Sequence, residues 1–228
     1  MTASSTPVET RARLSLGTSG DPIYEAVRKV LALRYSAGGT IIDVGCGAGR
    51  LWSYLEDRFD RYVGVDVVRY EGLPEGVEFH QIDLDSGRAP LPDGLADVVV
   101  AVETIEHLEN PRAFVRELIR LARAGGSILI TTPNQLSLLS KLTLVLKNEF
   151  NAFRAGDYPA HLTALLEVDL RRIGAECGLS DITIGYTCSG RMPGTARKWP
   201  RWLSRRFPRG FSDNVILIGK SAGPSVDS

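Results

Sequence analysis

One stretch limits the folds open to this chain more than any other: Ile41-Ile42-Asp43-Val44-Gly45-Cys46-Gly47-Ala48-Gly49-Arg50. Its first half is apolar and β-branched, which suits a strand covered on both faces. Gly45, Gly47 and Gly49 then open the turn, so the backbone can bend sharply and a ligand can lie against it. Leu51, Trp52, Leu55 and Phe59 follow at helical spacing and predict a helix over 50–59. Strand, glycine turn and helix in that order predict a nucleotide-like cofactor at the turn.

The rest of the chain repeats the alternation. Asp21-Pro22 opens a helix with an apolar face of Ile23, Val27, Val30, Leu31 and Leu33, closed by Gly38-Gly39. Strands are predicted over 62–66, 77–82, 97–102 and 127–131, with a helix from Pro111 that Gly125-Gly126 stops. Helices over 136–146 and 162–177 and strands over 181–187 and 214–220 complete the chain. This alternation predicts one doubly wound α/β domain over 19–220. No helix separates the last two strands, so the last strand is expected to run antiparallel to a mostly parallel sheet. Residues 1–18, rich in Ser and Thr, read as a flexible tail, and 221–228 as a second one.

Composition excludes several classes. A formal net charge of zero gives no overall attraction to nucleic acid, which is not expected as a partner. Cys46, Cys177 and Cys188 are odd in number and lack metal spacing, so they read as reduced thiols of a cytoplasmic protein. No apolar run approaches the roughly 20 residues that span a bilayer.

The cofactor can be narrowed further. Asp43 lies before the glycine turn, Asp66 ends the second strand and Asp83 follows the third. An acid at the end of the second strand suits ribose hydroxyls. The spacing is G-x-G-x-G rather than the dinucleotide pattern, and Asp43 would repel a pyrophosphate. A cationic ligand fits better. The set Asp43-x-Gly45-Cys46-Gly47-x-Gly49, Gly64-Val65-Asp66, Asp83 and Gly125-Gly126 resembles the class I S-adenosylmethionine-dependent methyltransferases, over about residues 20 to 220. The resemblance implies a Rossmann-like seven-stranded sheet whose last strand is antiparallel. It further implies that Gly45 to Gly49 cradle the methionine part of S-adenosylmethionine and that Asp66, with Val67 beside it, takes the ribose. Asp83 would meet the adenine amino group and Leu84 would pack on its ring.

The acceptor should meet the cofactor after the fourth strand, where Glu103-Thr104-Ile105-Glu106-His107 stands. One helical turn would bring Glu103, Glu106 and His107 to one side. With the distant His161 they form a plausible set of ligands for a divalent metal such as magnesium. These residues resemble the E-x-x-E-H turn of ubiquinone-biosynthesis O-methyltransferases, followed there by T-P (here Thr132-Pro133) and a later histidine. They also resemble small-RNA 2′-O-methyltransferases, in which the set binds magnesium. The flanks of the late histidine in both groups differ from Pro159-Ala160-His161-Leu162. Without a metal, His107 alone is the expected general base.

Residues 182–212 hold no acid, but they contain seven basic residues from Arg191 to Arg209 interleaved with Trp199, Trp202 and Phe207. This crossover suits a membrane surface, an anionic substrate or plain solvation. Together with Thr131 to Asn134 and Ser212 to Val215, it resembles small methyltransferases of glycan and lipid-linked saccharide pathways. The expected activity is O-methylation of a small-molecule, sugar or lipid-linked saccharide hydroxyl. A quinone precursor or an RNA 2′-hydroxyl with a metal is the alternative, and a non-catalytic cofactor-binding module is the alternative outside enzymology.

Overall fold

The computed structural model describes residues 6–85 and 87–223. Seven strands form one sheet: β1 (Thr40–Val44), β2 (Arg61–Asp66), β3 (Glu78–Gln81), β4 (Ala96–Val102), β5 (Ala122–Pro133), β6 (Leu179–Ser189) and β7 (Ser212–Ser221). Their spatial order is β3-β2-β1-β4-β5-β7-β6. The pairs from β3 to β5 are all parallel, and β7 runs antiparallel to both β5 and β6.

Eight α-helices accompany the sheet among the described residues: α1 (Pro7–Leu14), α2 (Asp21–Arg34), α3 (Trp52–Leu55), α4 (Pro111–Leu121), α5 (Leu138–Lys147), α6 (Glu167–Glu176), α7 (Arg201–Arg206) and α8 (Pro208–Phe211). Strand alternation divides the core between the two faces. Ile41, Val98 and Val100 pack with Tyr24, Val27 and Leu31 of α2 and with Leu51 and Leu55. Ile42, Val44 and Val99 pack on the other face with Phe114 and Leu118 of α4 and with Leu170 and Ile173 of α6. Full burial of one such side chain contributes about 1.5–3 kcal/mol. β1 and β4 are neighbours whose crossovers leave to opposite faces, so a crevice opens beyond their carboxyl ends.

Several local expectations are corrected. Residues 6–18 are not a loose tail. Thr6 caps α1 in a reciprocal box with Glu9, and Pro7 opens the helix. Residues 1–5 lie outside the described residues. At the other end Ser221 is buried in β7, and 224–228 lie outside the described residues.

The helix predicted over 162–177 begins only at Glu167, because Leu162 and Thr163 donate their N–H groups to the Glu106 carbonyl. Gly125-Gly126 does not stop α4. That helix ends at Leu121, and both glycines lie inside β5. The helix expected over 50–59 is reduced to α3, flanked by turns. Of the block over 182–212, the first part continues β6 to Ser189, and the remainder crosses back to β7 through α7 and α8, so two short helices stand between the last two strands where none is expected.

Candidate active site

At the carboxyl end of β1 the chain turns on backbone hydrogen bonds. Gly45 and Cys46 donate to the Val65 carbonyl at 2.7 and 3.2 Å, and Gly47 donates to Asp66 Oδ2 at 2.8 Å. Glycine is required twice for space. A Cβ on Gly45 would lie 2.3 Å from Thr104 Oγ1, and one on Gly47 would lie 2.0 Å from the Gly17 carbonyl oxygen. Both also have φ in the left-handed region, at 79° and 53°. The Gly17 carbonyl accepts from Ala48 N, which stitches the N-terminal segment over the turn.

Asp43 is buried beneath this turn. Its Oδ2 accepts from the Tyr62 hydroxyl at 2.5 Å, and its Oδ1 has no partner among the described residues. Burial pushes its carboxyl up to about 7, against the pull of Tyr62 and with a smaller push from Asp66. A buried carboxylate with a spare oxygen is a seat for a cation. Asp66 is raised by burial too, and the N–H groups of Gly47, Val68 and Val67 oppose that shift. Burial and the nearby Asp43 also push the Cys46 thiol up.

Asp43, Gly45, Cys46, Gly47, Asp66, Val67 and Leu84 all line one cavity. Gly49 and Asp83 do not. A Cβ on Gly49 would lie 2.7 Å from Leu73 Cδ1, and Asp83 Oδ1 accepts from Asp85 N at 3.0 Å in the turn after β3.

The cavity has a wall that sequence reasoning missed. Arg11, Ala12 and Ser15 of the N-terminal segment line it. Tyr70 donates to the Ala12 carbonyl at 2.6 Å, and Arg11 meets Asp85 at 3.0 Å and Glu109 at 2.9 Å. The signal was present as Thr6-Pro7-Val8-Glu9, a capping box with proline at the first helical position.

The opposite wall comes from the end of β4. Glu103 has φ of 52°, a rare conformation for a side-chain-bearing residue, and its N–H donates to Thr131. Its Oε1 accepts from Asn214 Nδ2 at 2.6 Å and from Thr131 Oγ1 at 3.1 Å. A 3₁₀ turn over Ile105–His107 then carries Glu106 and His107 inward. Glu106 is 1% exposed. Its Oε2 accepts from Thr132 Oγ1 at 3.0 Å, and its Oε1 has no partner among the described residues. Burial raises both glutamates, and Glu103 is raised further by the charge of Glu106.

His161 reaches the same place from the loop after α5, its ring 4.8 Å from that of His107. His107 Nδ1 bonds the Ala160 carbonyl at 2.7 Å, and His161 Nδ1 bonds the Ala152 carbonyl at 2.5 Å. Carbonyls only accept, so each Nδ1 carries the proton and each Nε2 keeps its lone pair. Burial holds both imidazoles below their ordinary pKa.

Glu103, Glu106, His107 and His161 therefore line the same cavity as the glycine turn. The four do not form one metal cluster. Ligand atoms of Glu106, His107 and His161 lie within 4.8 Å of one another, whereas Glu103 is turned to Asn214 and Thr131. The unpartnered Glu106 Oε1 and the two oriented imidazoles fit a divalent cation. His80 sits on the edge strand β3 and bonds Glu78 at 3.0 Å, apart from this site.

Comparison with known proteins bears on the family and the fold. Residues 21–184 match a family model described as a methyltransferase domain. A stretch of 117 residues is 34% identical to a protein of Mycolicibacterium smegmatis named "Probable S-adenosylmethionine-dependent methyltransferase", covering 50% of this chain and 45% of that one. Another of 108 residues is 33% identical to the ubiquinone biosynthesis O-methyltransferase of Pseudomonas paraeruginosa, covering 43% of this chain and 46% of the relative. The matched stretch thus spans just under half of either relative. A methyltransferase structure from Archaeoglobus fulgidus superposes with a TM-score of 0.61 at 20% identity, covering 86% of this chain and 94% of that one, which supports the fold.

Proposed function

The chain belongs to the class I S-adenosylmethionine-dependent methyltransferase family, and we propose that within it the protein methylates a hydroxyl of a small molecule, sugar or lipid-linked saccharide. The observation that carries this reading is the single cavity shared by the glycine turn, Asp43 and Asp66 on one side and by Glu106, His107 and His161 on the other. The turn that would hold the cofactor and a basic imidazole nitrogen thus line one space.

The positive cofactor suits Asp43, whose Oδ1 lacks a partner, and its ribose suits Asp66. The acceptor hydroxyl gives its proton to His107 Nε2, while Ala160 holds Nδ1–H. S-adenosylmethionine, when bound, would supply the methyl group to that oxygen, with neutral S-adenosylhomocysteine as the leaving product. Relatives named for ubiquinone-biosynthesis O-methylation support oxygen as the accepting atom.

A second reading draws support from the cluster of Glu106, His107 and His161. These three would hold a divalent metal, which when bound lowers the pKa of a coordinated hydroxyl. A quinone precursor with adjacent oxygens is the acceptor class that suits this reading.

Incubation with labelled S-adenosylmethionine and candidate acceptors, followed by product mass spectrometry, tests both. Label on oxygen is expected. Label on nitrogen or carbon, or none with any hydroxyl acceptor, counts against O-methylation. Turnover that survives chelation supports His107 as base, and turnover lost on chelation and restored by metal supports the second reading.

A further inference from the structure

A second cavity opens beside the first. The two share Gly20, Ile23 and Glu103, so they meet at the mouth of the proposed transfer site. Its far side carries Arg191 and Lys198. A third cavity shares Pro22, Cys188 and Lys198 with the second and continues past Trp199, Arg201 and Arg205. A chain of adjoining cavities thus runs outward from Glu103.

The two cations are placed by a small hairpin beyond β6. Arg191 pairs with Lys198 as an antiparallel bridge. Met192 N donates to the Arg197 carbonyl and Trp199 N to the Gly190 carbonyl, both at 2.8 Å. Gly190 N donates to Phe211 O at 2.7 Å and Arg191 N to Asp213 Oδ1 at 3.1 Å, which fastens the hairpin to the start of β7. Residues directly opposite across such a pair project to one face.

Their charges are not spent inside the protein. Arg50, Arg61, Arg112 and Arg123 each meet a carboxylate at 2.6 to 2.8 Å. No side-chain hydrogen bond or ion pair is formed by Arg191, Lys198, Arg201 or Arg205 among the described residues. The charges of Arg191 and Lys198 act on the Asp213 carboxyl, which accepts the Arg191 backbone N–H. Asn151 lines the same cavity and supplies a neutral amide donor. Four such cations along a path that starts at the reacting group exceed what one carboxylate needs and suit phosphate oxygens.

We propose that the acceptor carries a phosphate or diphosphate held by Arg191 and Lys198 in the second cavity, while its hydroxyl reaches past Glu103 to the cofactor. The inference rests on the methyl-transfer reading, although the anion site is tested on its own.

Inorganic pyrophosphate is titrated calorimetrically into the full chain, with and without S-adenosylhomocysteine. Wild type is expected to bind below about 1 mM, and the double substitution Arg191→Gln/Lys198→Gln to weaken binding at least about tenfold. Arg34→Gln, at the exposed end of α2, serves as the charge control and is expected to bind as wild type does. Unchanged S-adenosylhomocysteine affinity in the double variant reports an intact fold.

Absence of pyrophosphate binding by wild type up to about 10 mM, or an equal loss in Arg34→Gln, overturns the proposal. Failure of S-adenosylhomocysteine alone would remove the methyl-transfer reading and leave the anion site standing. Co-sedimentation with phosphatidylcholine vesicles bearing phosphatidylglycerol separates two sources of the phosphate. Sedimentation lost in the double variant assigns it to a membrane-borne acceptor. No sedimentation of wild type assigns it to a soluble phosphate ester.

Discussion

The two walls of the cavity are built on opposite plans. The cofactor wall is short-range: β1, its turn and the end of β2 supply Asp43, Gly45, Gly47 and Asp66, largely through backbone contacts. The acceptor wall is long-range: Glu103, Glu106 and His107 meet His161 from one distant loop, Asn214 from β7 and, further out, Arg191 and Lys198 from a hairpin. Buried acids stand on both walls, Asp43 and Asp66 on one and Glu106 on the other, and cations without a carboxylate partner follow only beyond the acceptor mouth. Backbone geometry can hold a constant ligand. A variable one is better served by side chains on loops that can change independently.

The comparison breaks most sharply at His107. Replacement by alanine should lower kcat about 10²–10⁴-fold while S-adenosylmethionine affinity stays near wild type, read by single-turnover kinetics and calorimetry. A parallel loss of cofactor binding would place His107 on the wrong wall.

Gly47→Ala strikes the other wall. Its Cβ would sit 2.0 Å from the Gly17 carbonyl oxygen at a φ of 53°, so turn and N-terminal segment cannot both keep their places. Loss of cofactor binding and a stability drop of at least about 1–3 kcal/mol by denaturant melts are expected.

Asp43 sharpens the electrostatic side. Its folded pKa of about 7 lies above the ordinary 3.8, so the folded apo protein holds this proton more tightly than the unfolded chain does. The stability it contributes is complete below the unfolded value and is lost as pH rises through about 7. Asp43→Asn should therefore stabilise the apo protein at alkaline pH, by at most about 4 kcal/mol, and should flatten that part of the pH–stability profile. It should also weaken S-adenosylmethionine, and the wild-type affinity should fall as pH drops below about 7.

The smallest effect is expected at Arg11, whose ion pairs with Asp85 and Glu109 tie α1 over the cavity. Arg11→Gln should cost about 0.5–1.5 kcal/mol and shorten cofactor residence several-fold by stopped-flow, with kcat little changed.

The same contrast explains what the sequence made legible. The alternation of strand and helix and the glycine turn follow from periodicity and local spacing, which act within a few residues, whereas the antiparallel β7 is expected from the lack of a helix before it and from the resemblance, and α7 and α8 stand there instead. The meeting of His161 with His107 depends on a loop held by the Glu106 carbonyl, a contact no periodicity encodes. The i, i+3, i+4 spacing groups Glu103 with the metal candidates. The chain instead forms a 3₁₀ turn after a left-handed Glu103, which sends that carboxylate to Asn214. Helix α1 was missed because its Ser- and Thr-rich surroundings outweighed a four-residue capping box. Asp83 stands outside the cavity lining because the turn after β3 uses its carboxylate to cap Asp85 N.

The measurement that bears most directly on the shared cavity is calorimetric titration of S-adenosylmethionine into the wild-type chain, Asp66→Ala and His107→Ala. Wild type should bind at about micromolar Kd, Asp66→Ala at least about tenfold more weakly, and His107→Ala like wild type. No binding by wild type up to about 1 mM, or equal affinity in wild type and Asp66→Ala, would contradict the assignment of this cavity to the cofactor.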